Sequence, residues 1–380
     1  MSNLNAQINT QLSNIDSKAT SQSTVLPSPY ALKQQYALSQ IAQQHIAQHR
    51  QEIKSILNGD DPRLLVIVGP CSIHEPQAVL EYAQRLKILA DQHQNTLKIV
   101  MRTYLEKPRS TVGWKGYVYD PSLKGQSNLT EGLHLSRELL VKIAEMNLPM
   151  ATEVLNPMLS HYFDDLYSWG AIGARTSESQ IHREIASNLP YALGFKNGTD
   201  GNVDIALDAI QSASNPHQFL GLNNQGQSAL IESSGNDSLQ VILRGSQYGT
   251  NYDLASVQAV QQRMQKRNMH GAIIIDCSHG NSQKNPDLQP QVLKTIAEQL
   301  AESQVKGVMI ESHLQHGKQS IDAEVLQYGC SVTDGCIGWA ETESALADLA
   351  LHVAKCQNSK KQMKDQTLQE LIQTQKLECV

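Results

Sequence analysis

From residue 64 onward the chain repeats one pattern, a short run of β-branched and apolar residues followed by an amphipathic stretch with helical spacing. The runs are LLVIVGPC, LKIVMRTY, PMATEVL, AIGARTSE, YALGFKNG, LQVILRG, GAIIIDCSHG and GVMIESHL. Strands that alternate with helices have to lie parallel, because each crossover helix carries the chain back to the starting end of the sheet. Eight such units within about 250 residues predict an α/β fold of the closed (β/α)8 type, a TIM barrel. A doubly wound open sheet is the alternative. No G-x-G-x-x-G follows the first run, so the usual dinucleotide-binding turn is missing.

The flanks divide by composition. Residues 1–29 are rich in Ser, Asn, Gln and Thr and end in LPSPY, which predicts a flexible arm that orders, if anywhere, on a partner subunit. Apolar residues at helical spacing (Ile41, Ile46, Ile53, Ile56, Leu57) predict an extension helix over 30–60, stopped at Asn58-Gly59. The barrel is expected over 61–356. Between its fifth and sixth runs the alternation in HQFLGLNNQGQSALIESSGNDS predicts an inserted β-hairpin over about 217–240. Residues 357–380 read as a tail, a short outer helix without chemistry.

Charge and cysteine usage narrow the class. With 31 Lys+Arg against 37 Asp+Glu the net charge is -6, which disfavours a nucleic-acid partner held by phosphate attraction. No apolar run is long enough to span a membrane, and the first residues lack the basic end and apolar middle of a signal peptide. The 6 cysteines form no CxxC pair, which suits a reducing compartment, and a cytoplasmic protein is expected.

In a barrel of this kind the chemistry sits at the C-terminal ends of the strands. Read in order, the runs end in Cys71, Arg102, Glu153, Arg175, Lys196, Arg244, His279 and Glu311. Cys71, His279, Glu311 and Asp334, the last in SVTDGCIGW, offer sulfur, nitrogen and carboxylate oxygen, a mixed set suited to a borderline divalent metal. The inert alternative for Cys71 is a small buried hydrophobe. Arg102, Lys107, Arg109, Arg175, Lys196 and Arg244 form a cationic group that would repel itself unless a multiply charged anion sits within it. A substrate carrying phosphate and carboxylate is therefore expected, with Arg forks giving bidentate contacts. Lys87 and Arg137, on helical stretches, read as solvated.

Together GPCSIHE, MRTYLEKPRSTVGWKGYVYDP, GAIGARTSESQIHRE, GFKNGTDG, VILRG, IDCSHGNS, GVMIESHL and TDGCIGW closely resemble the type I 3-deoxy-D-arabino-heptulosonate 7-phosphate (DAHP) synthases, over roughly residues 26–356. The resemblance implies condensation of phosphoenolpyruvate with D-erythrose 4-phosphate and water, the first step of the shikimate pathway to aromatic amino acids. It implies a divalent metal (Mn2+, Fe2+, Co2+ or Zn2+) on Cys71, His279, Glu311 and Asp334. Arg175 and Arg244 would grip the phosphate of phosphoenolpyruvate, and Arg102 and Lys196, helped by Lys107, its carboxylate. Arg109 and Ser110 would hold the aldose phosphate. Glu153 joins the substrate-binding set, and Lys107, Lys196 and His279 are the expected catalytic groups. Many relatives have Thr where Ser110 stands, which keeps the hydroxyl.

Two other readings have specific tests in the sequence. A 3-deoxy-D-manno-octulosonate 8-phosphate synthase typically shows KANRS where this chain has KPRS, and lacks the extension and hairpin. A non-catalytic subunit that binds an aromatic amino acid would be free to lose its strand-end ligands, which are intact here. In similar enzymes the extension and hairpin bind an end-product amino acid between subunits of a dimer or tetramer. Pro190, Phe219 and Gly221 fall at the matching positions. Relatives with Gly at the position of Gly221 tend to respond to tyrosine and those with Ser to phenylalanine, so the resemblance implies tyrosine inhibition; the physical reason would be that a missing side chain leaves room for the phenolic hydroxyl. Pro190 stands where many relatives carry Ser and offers neither a hydroxyl nor a backbone donor.

Overall fold

The computed structural model describes residues 23–378. All eight runs form strands of one closed parallel barrel: β1 (Leu64–Gly69), β2 (Leu97–Arg102), β3 (Met150–Glu153), β4 (Trp169–Ile172), β5 (Ala192–Lys196), β8 (Leu239–Leu243), β9 (Ile273–Asp276) and β10 (Val305–Glu311). β1 seals the barrel by pairing with both β2 and β10, Leu65 lying opposite Lys98 on one side and Gly307 on the other. Between β5 and β8 the chain leaves the barrel to form an antiparallel hairpin, β6 (His217–Leu222) and β7 (Ser228–Ser233). The hairpin ends at Ser233, short of the expected 240, because Leu239 already begins the sixth barrel strand.

The runs lack polar alternation because both faces of every barrel strand are covered. In β1, Leu65 and Ile67 point inward with Val100, Trp169, Ile242, Ile274 and Met309, whereas Leu64, Val66 and Val68 pack outward beneath the helices. Trp169 is wholly buried, and its Nε1 donates to Gln240 Oε1 at 3.0 Å. β5 meets this bulk with a glycine. A Cβ on Gly194 would lie 3.1 Å from the Trp169 ring and 2.5 Å from Ile242 Cδ1.

Helices α3 (Pro76–Gln92), α4 (Leu129–Glu145), α5 (Pro157–Phe163), α6 (Gln180–Asn188), α7 (Asp204–Ala213), α8 (Leu254–Lys266), α9 (Gln289–Gln299) and α10 (Trp339–Glu378) surround the strands. α10 runs unbroken to Glu378, taking in the described part of the segment read as a separate tail. Arg137 on α4 is a correction to the solvated reading: it is fully buried, and its two Nη atoms donate to Asp165 at 2.9 and 2.7 Å. The α4 face it occupies packs on the α5–β4 connection, where a bidentate partner makes a buried guanidinium tolerable.

The segment expected as one helix over 30–60 folds as two, α1 (Pro29–Gln35) and α2 (Gln40–Asn58). Ser28 and Ser39 cap them, each Oγ accepting from the backbone N–H three residues on. Ser39 is also tied to Glu145 of α4 by its N–H (2.8 Å) and hydroxyl (2.7 Å), which fixes the break. α2 then forms the floor of the barrel, with Ile53, Ile56 and Leu57 joining the interior cluster. A charged layer edges this floor. Lys98 of β2 lies 2.9 Å from His49 Nδ1 and donates to Glu52 Oε2 at 2.8 Å, which also accepts from Arg63 Nη2 at 2.9 Å. Among the described residues no helix is long and apolar enough to cross a membrane. The expected arm over 1–29 falls largely outside the described residues.

Candidate active site

Parallel strands all point their C-terminal ends to one mouth, so residues far apart in sequence converge there. A cleft of about 660 Å3 opens at this mouth. It is lined by Cys71, Arg102, Lys107, Arg109, Ser110, Glu153, Arg175, Lys196, Arg244, His279, Glu311 and Asp334, the whole metal and substrate set read from the sequence. Pro190, Phe219 and Gly221 lie elsewhere. Pro190 is exposed just after α6, and the other two sit on β6, which packs against α6.

One side of the cleft is anionic. One donor atom each from Cys71, Glu311 and Asp334 lies within 4.8 Å of the others. Burial, with Glu311 beside it, pushes the Cys71 thiol up to about 11. The cluster draws in a cation of the chain's own: Lys107 Nζ donates to Cys71 Sγ at 2.9 Å and to Asp334 Oδ2 at 2.7 Å. Burial opposes the charge on Asp334, and the Lys107 ammonium outweighs it, holding the carboxyl well below its usual range. A thiol and two carboxylates this close together are a donor set that a borderline divalent ion fits, and Lys107 places its positive charge against two of the three.

His279 is brought to the edge of this group. Its Nε2 lies 4.0 Å from Glu311 Oε1, while Nδ1 lies 3.0 Å from Asp276 Oδ2. Its backbone is left-handed, with φ 57°, and Gln283 and Lys284 in the same loop share that conformation. Left-handed non-glycine residues cost energy and collect at functional loops. Asp276, fully buried at the end of β9, also accepts from Lys196 Nζ at 2.9 Å. One carboxylate therefore orients both the imidazole and the lysine.

The other side is cationic. Arg102 is buried at the end of β2, where Nη2 donates to Glu311 Oε1 at 3.3 Å and the guanidinium stacks 4.0 Å over Tyr104, while Nη1 has no partner among the described residues. Arg175 is exposed and donates to Ser110 Oγ at 3.1 Å. Burial and the nearby Arg175 charge lower the Arg244 pKa, although Asp276 works against them. Glu153 is accommodated by a glycine, since a Cβ on Gly173 would come 2.4 Å from its Oε1.

Sequence reasoning passed over four lining or supporting groups: Glu106, Tyr119, Asp276 and Lys284. Asp276 had a signal, as the charged residue that closes the apolar stretch AIII within its run. Glu106 had only its place beside Lys107, and burial pushes its carboxyl up to about 7.

A closed (β/α)8 barrel whose C-terminal mouth sets a thiol–carboxylate cluster against a ring of Arg and Lys defines an enzyme-type barrel for anionic substrates. Comparison with known sequences narrows this class. The sequence profile of the DAHP synthetase I family matches residues 37–347, and the chain belongs to that family. It is 47% identical over 341 residues to the tyrosine-inhibited phospho-2-dehydro-3-deoxyheptonate aldolase of Schizosaccharomyces pombe, covering 87% of this chain and 92% of the relative. It is 44% identical over 335 residues to the phenylalanine-inhibited aldolase of Saccharomyces cerevisiae, covering 86% and 90%. Among solved structures, phospho-2-dehydro-3-deoxyheptonate aldolase from Francisella tularensis superposes with TM-score 0.86 at 44% identity, covering 88% of this chain and 98% of that one.

Proposed function

We propose that the chain condenses phosphoenolpyruvate with D-erythrose 4-phosphate and water, giving 3-deoxy-D-arabino-heptulosonate 7-phosphate and phosphate. The observation that carries this reading is the convergence of five cations (Arg102, Arg109, Arg175, Lys196, Arg244) and the Cys71–Glu311–Asp334 cluster in one cleft. Two phosphates and a carboxylate supply the negative charge that such a ring requires.

Arg175 and Arg244 bind the enol phosphate, and Arg102 and Lys196 face its carboxylate. Arg109 and Ser110 hold the aldose phosphate. The Arg175–Ser110 contact supports neighbouring phosphate subsites, in which adjoining groups would align the two substrates. Carbon 3 of the enol then attacks the aldehyde carbon, water adds at carbon 2, and phosphate leaves. The fixed cations stabilise charge as it shifts between these oxygens. Cys71, His279, Glu311 and Asp334 would hold a divalent metal, with Lys107 released toward the substrate carboxylate. When bound, the metal supplies Lewis acidity toward the aldehyde oxygen.

Regulation by tyrosine in a homodimer or homotetramer belongs to the same proposal. It is supported by Gly221 on the hairpin and by the tyrosine-inhibited relative. The deciding experiment measures phosphoenolpyruvate consumption with D-erythrose 4-phosphate and, separately, with D-arabinose 5-phosphate. Turnover with the four-carbon sugar alone is expected. Preference for the five-carbon sugar, or no turnover with either in Mn2+, overturns the reading.

A further inference from the structure

The loop between β2 and α4 carries Lys107, Arg109 and Ser110, and its tip is open to solvent, with Val112 93% exposed. A tip this exposed needs something to hold it in register with the cleft. Three side chains form a closed triangle at its base. Glu106 Oε1 accepts from the Tyr119 hydroxyl at 3.2 Å, the Tyr119 hydroxyl accepts from Asn156 Nδ2 at 3.0 Å, and Glu106 Oε2 accepts from the Asn156 backbone N–H at 3.2 Å. Glu106 and Tyr119 are the two stems of the loop. Asn156 caps α5, its Oδ1 accepting from Met158 N at 3.0 Å, and so belongs to the connection that follows Glu153.

We infer that Glu106 is a positioning residue for the aldose phosphate: with Tyr119 and Asn156 it clasps the loop's stems to the β3 end, and so sets where Arg109 and Ser110 stand relative to Arg175. Three observations converge on this role. Glu106 is buried, 8% exposed, and both of its oxygens are occupied by donors within the triangle, so its carboxylate is committed to the clasp. The triangle joins the loop that carries Arg109 and Ser110 to the connection after β3, and the Arg175–Ser110 contact of 3.1 Å shows that loop in register with the neighbouring β4 end. Within the loop, Arg109 Nε donates to the Trp114 carbonyl at 2.8 Å, so a shift of the stems moves the guanidinium with them.

This inference rests on the proposed condensation, and its test separates the two. Glu106→Gln places an amide donor against neighbours that already donate, and Tyr119→Phe removes one corner without adding a group. Both variants are expected to raise the Michaelis constant for D-erythrose 4-phosphate about tenfold, the equivalent of one lost charge-assisted hydrogen bond, and to leave that for phosphoenolpyruvate within about twofold. Hydrogen–deuterium exchange should quicken over 107–118 in both variants and stay unchanged in β1 and β10. A structural lesion alone would instead lower the turnover number with both constants preserved, and that result overturns the clasp, as does equal weakening of both substrates or unchanged loop exchange. If one variant does not fold, the other decides between these outcomes. A parent that does not condense the two substrates refutes the proposed function, and the exchange measurement then judges the clasp by itself.

Discussion

Replacing Arg109 and Arg175 one at a time tests whether the two phosphates have separate anchors. The environment of Arg175 fixes the size of the effect. Its guanidinium is exposed, and the described residues give it one side-chain partner, Ser110 Oγ at 3.1 Å. Arg175→Ala therefore strands no buried group in the free enzyme, and the loss falls on the complex with phosphoenolpyruvate. A hydrogen bond to a charged group contributes about 1.5–3 kcal/mol, which corresponds to roughly a 10- to 150-fold rise in that substrate's Michaelis constant. Arg109 is exposed too, and among the described residues its one hydrogen bond is to the Trp114 carbonyl at 2.8 Å, so Arg109→Ala should show a rise of similar size for D-erythrose 4-phosphate. Arg102→Ala would be a poor probe, because it bares Glu311 in the buried wall of the cleft. The assay is initial-rate phosphate release with one substrate varied and the other saturating. Equal rises for both substrates in both variants would refute separate anchoring.

Three further outcomes are expected. Chelation should abolish turnover, and Cys71→Ser should lose bound metal by elemental analysis while keeping its circular dichroism, because the soft donor favours borderline ions; full activity in a metal-free preparation contradicts this. Burial raises the Glu52 pKa, but Lys98 and Arg63 outweigh it and hold the group at about 2, so its stabilisation is present above the unfolded carboxylate value and lost as pH falls from about 4.3 toward 2. Glu52→Gln should then cost about 1–3 kcal/mol at pH 7 and flatten that part of the acid-unfolding curve, and an unchanged curve removes the role. Gly221→Ser should shift inhibition from tyrosine toward phenylalanine in rate assays with each amino acid, with Ile231 forced to move because the new Cβ would lie 2.7 Å from its Cγ1; no change in preference removes Gly221 as the selector.

The barrel was legible because strands buried on both faces must be written as continuous apolar runs, and eight of them leave few other closures. The cleft was legible for the same reason, since whatever ends a parallel strand faces the common mouth. What sequence could not reveal was direction within loops. That the Lys107 ammonium lies against Cys71 and Asp334 left no trace in the sequence. Asp276 was passed over for His279, although it holds both that ring and Lys196. The break between α1 and α2 was hidden because Ser39 is fixed by Glu145, more than a hundred residues away, and helical periodicity carries no trace of such a partner. Arg137 was misjudged on the same ground, its partner Asp165 being distant in sequence.

The floor helix bears on how such a chain is made. α2 leaves the ribosome before any barrel strand, but the socket for Ile53, Ile56 and Leu57 includes Ile274 and Met309 of the last two strands. The seam between β1 and β10 likewise waits until Glu311 has emerged. At synthesis rates of about 5–20 residues per second, the intervening stretch of about 250 residues leaves that apolar helix face and the free β1 edge without complete partners for roughly ten to fifty seconds. A nascent chain in this state is a natural client for chaperones that shield apolar surface. Ribosome-bound chains stalled before β10 should be captured through α2, and release should follow once the final strand is available to close the ring.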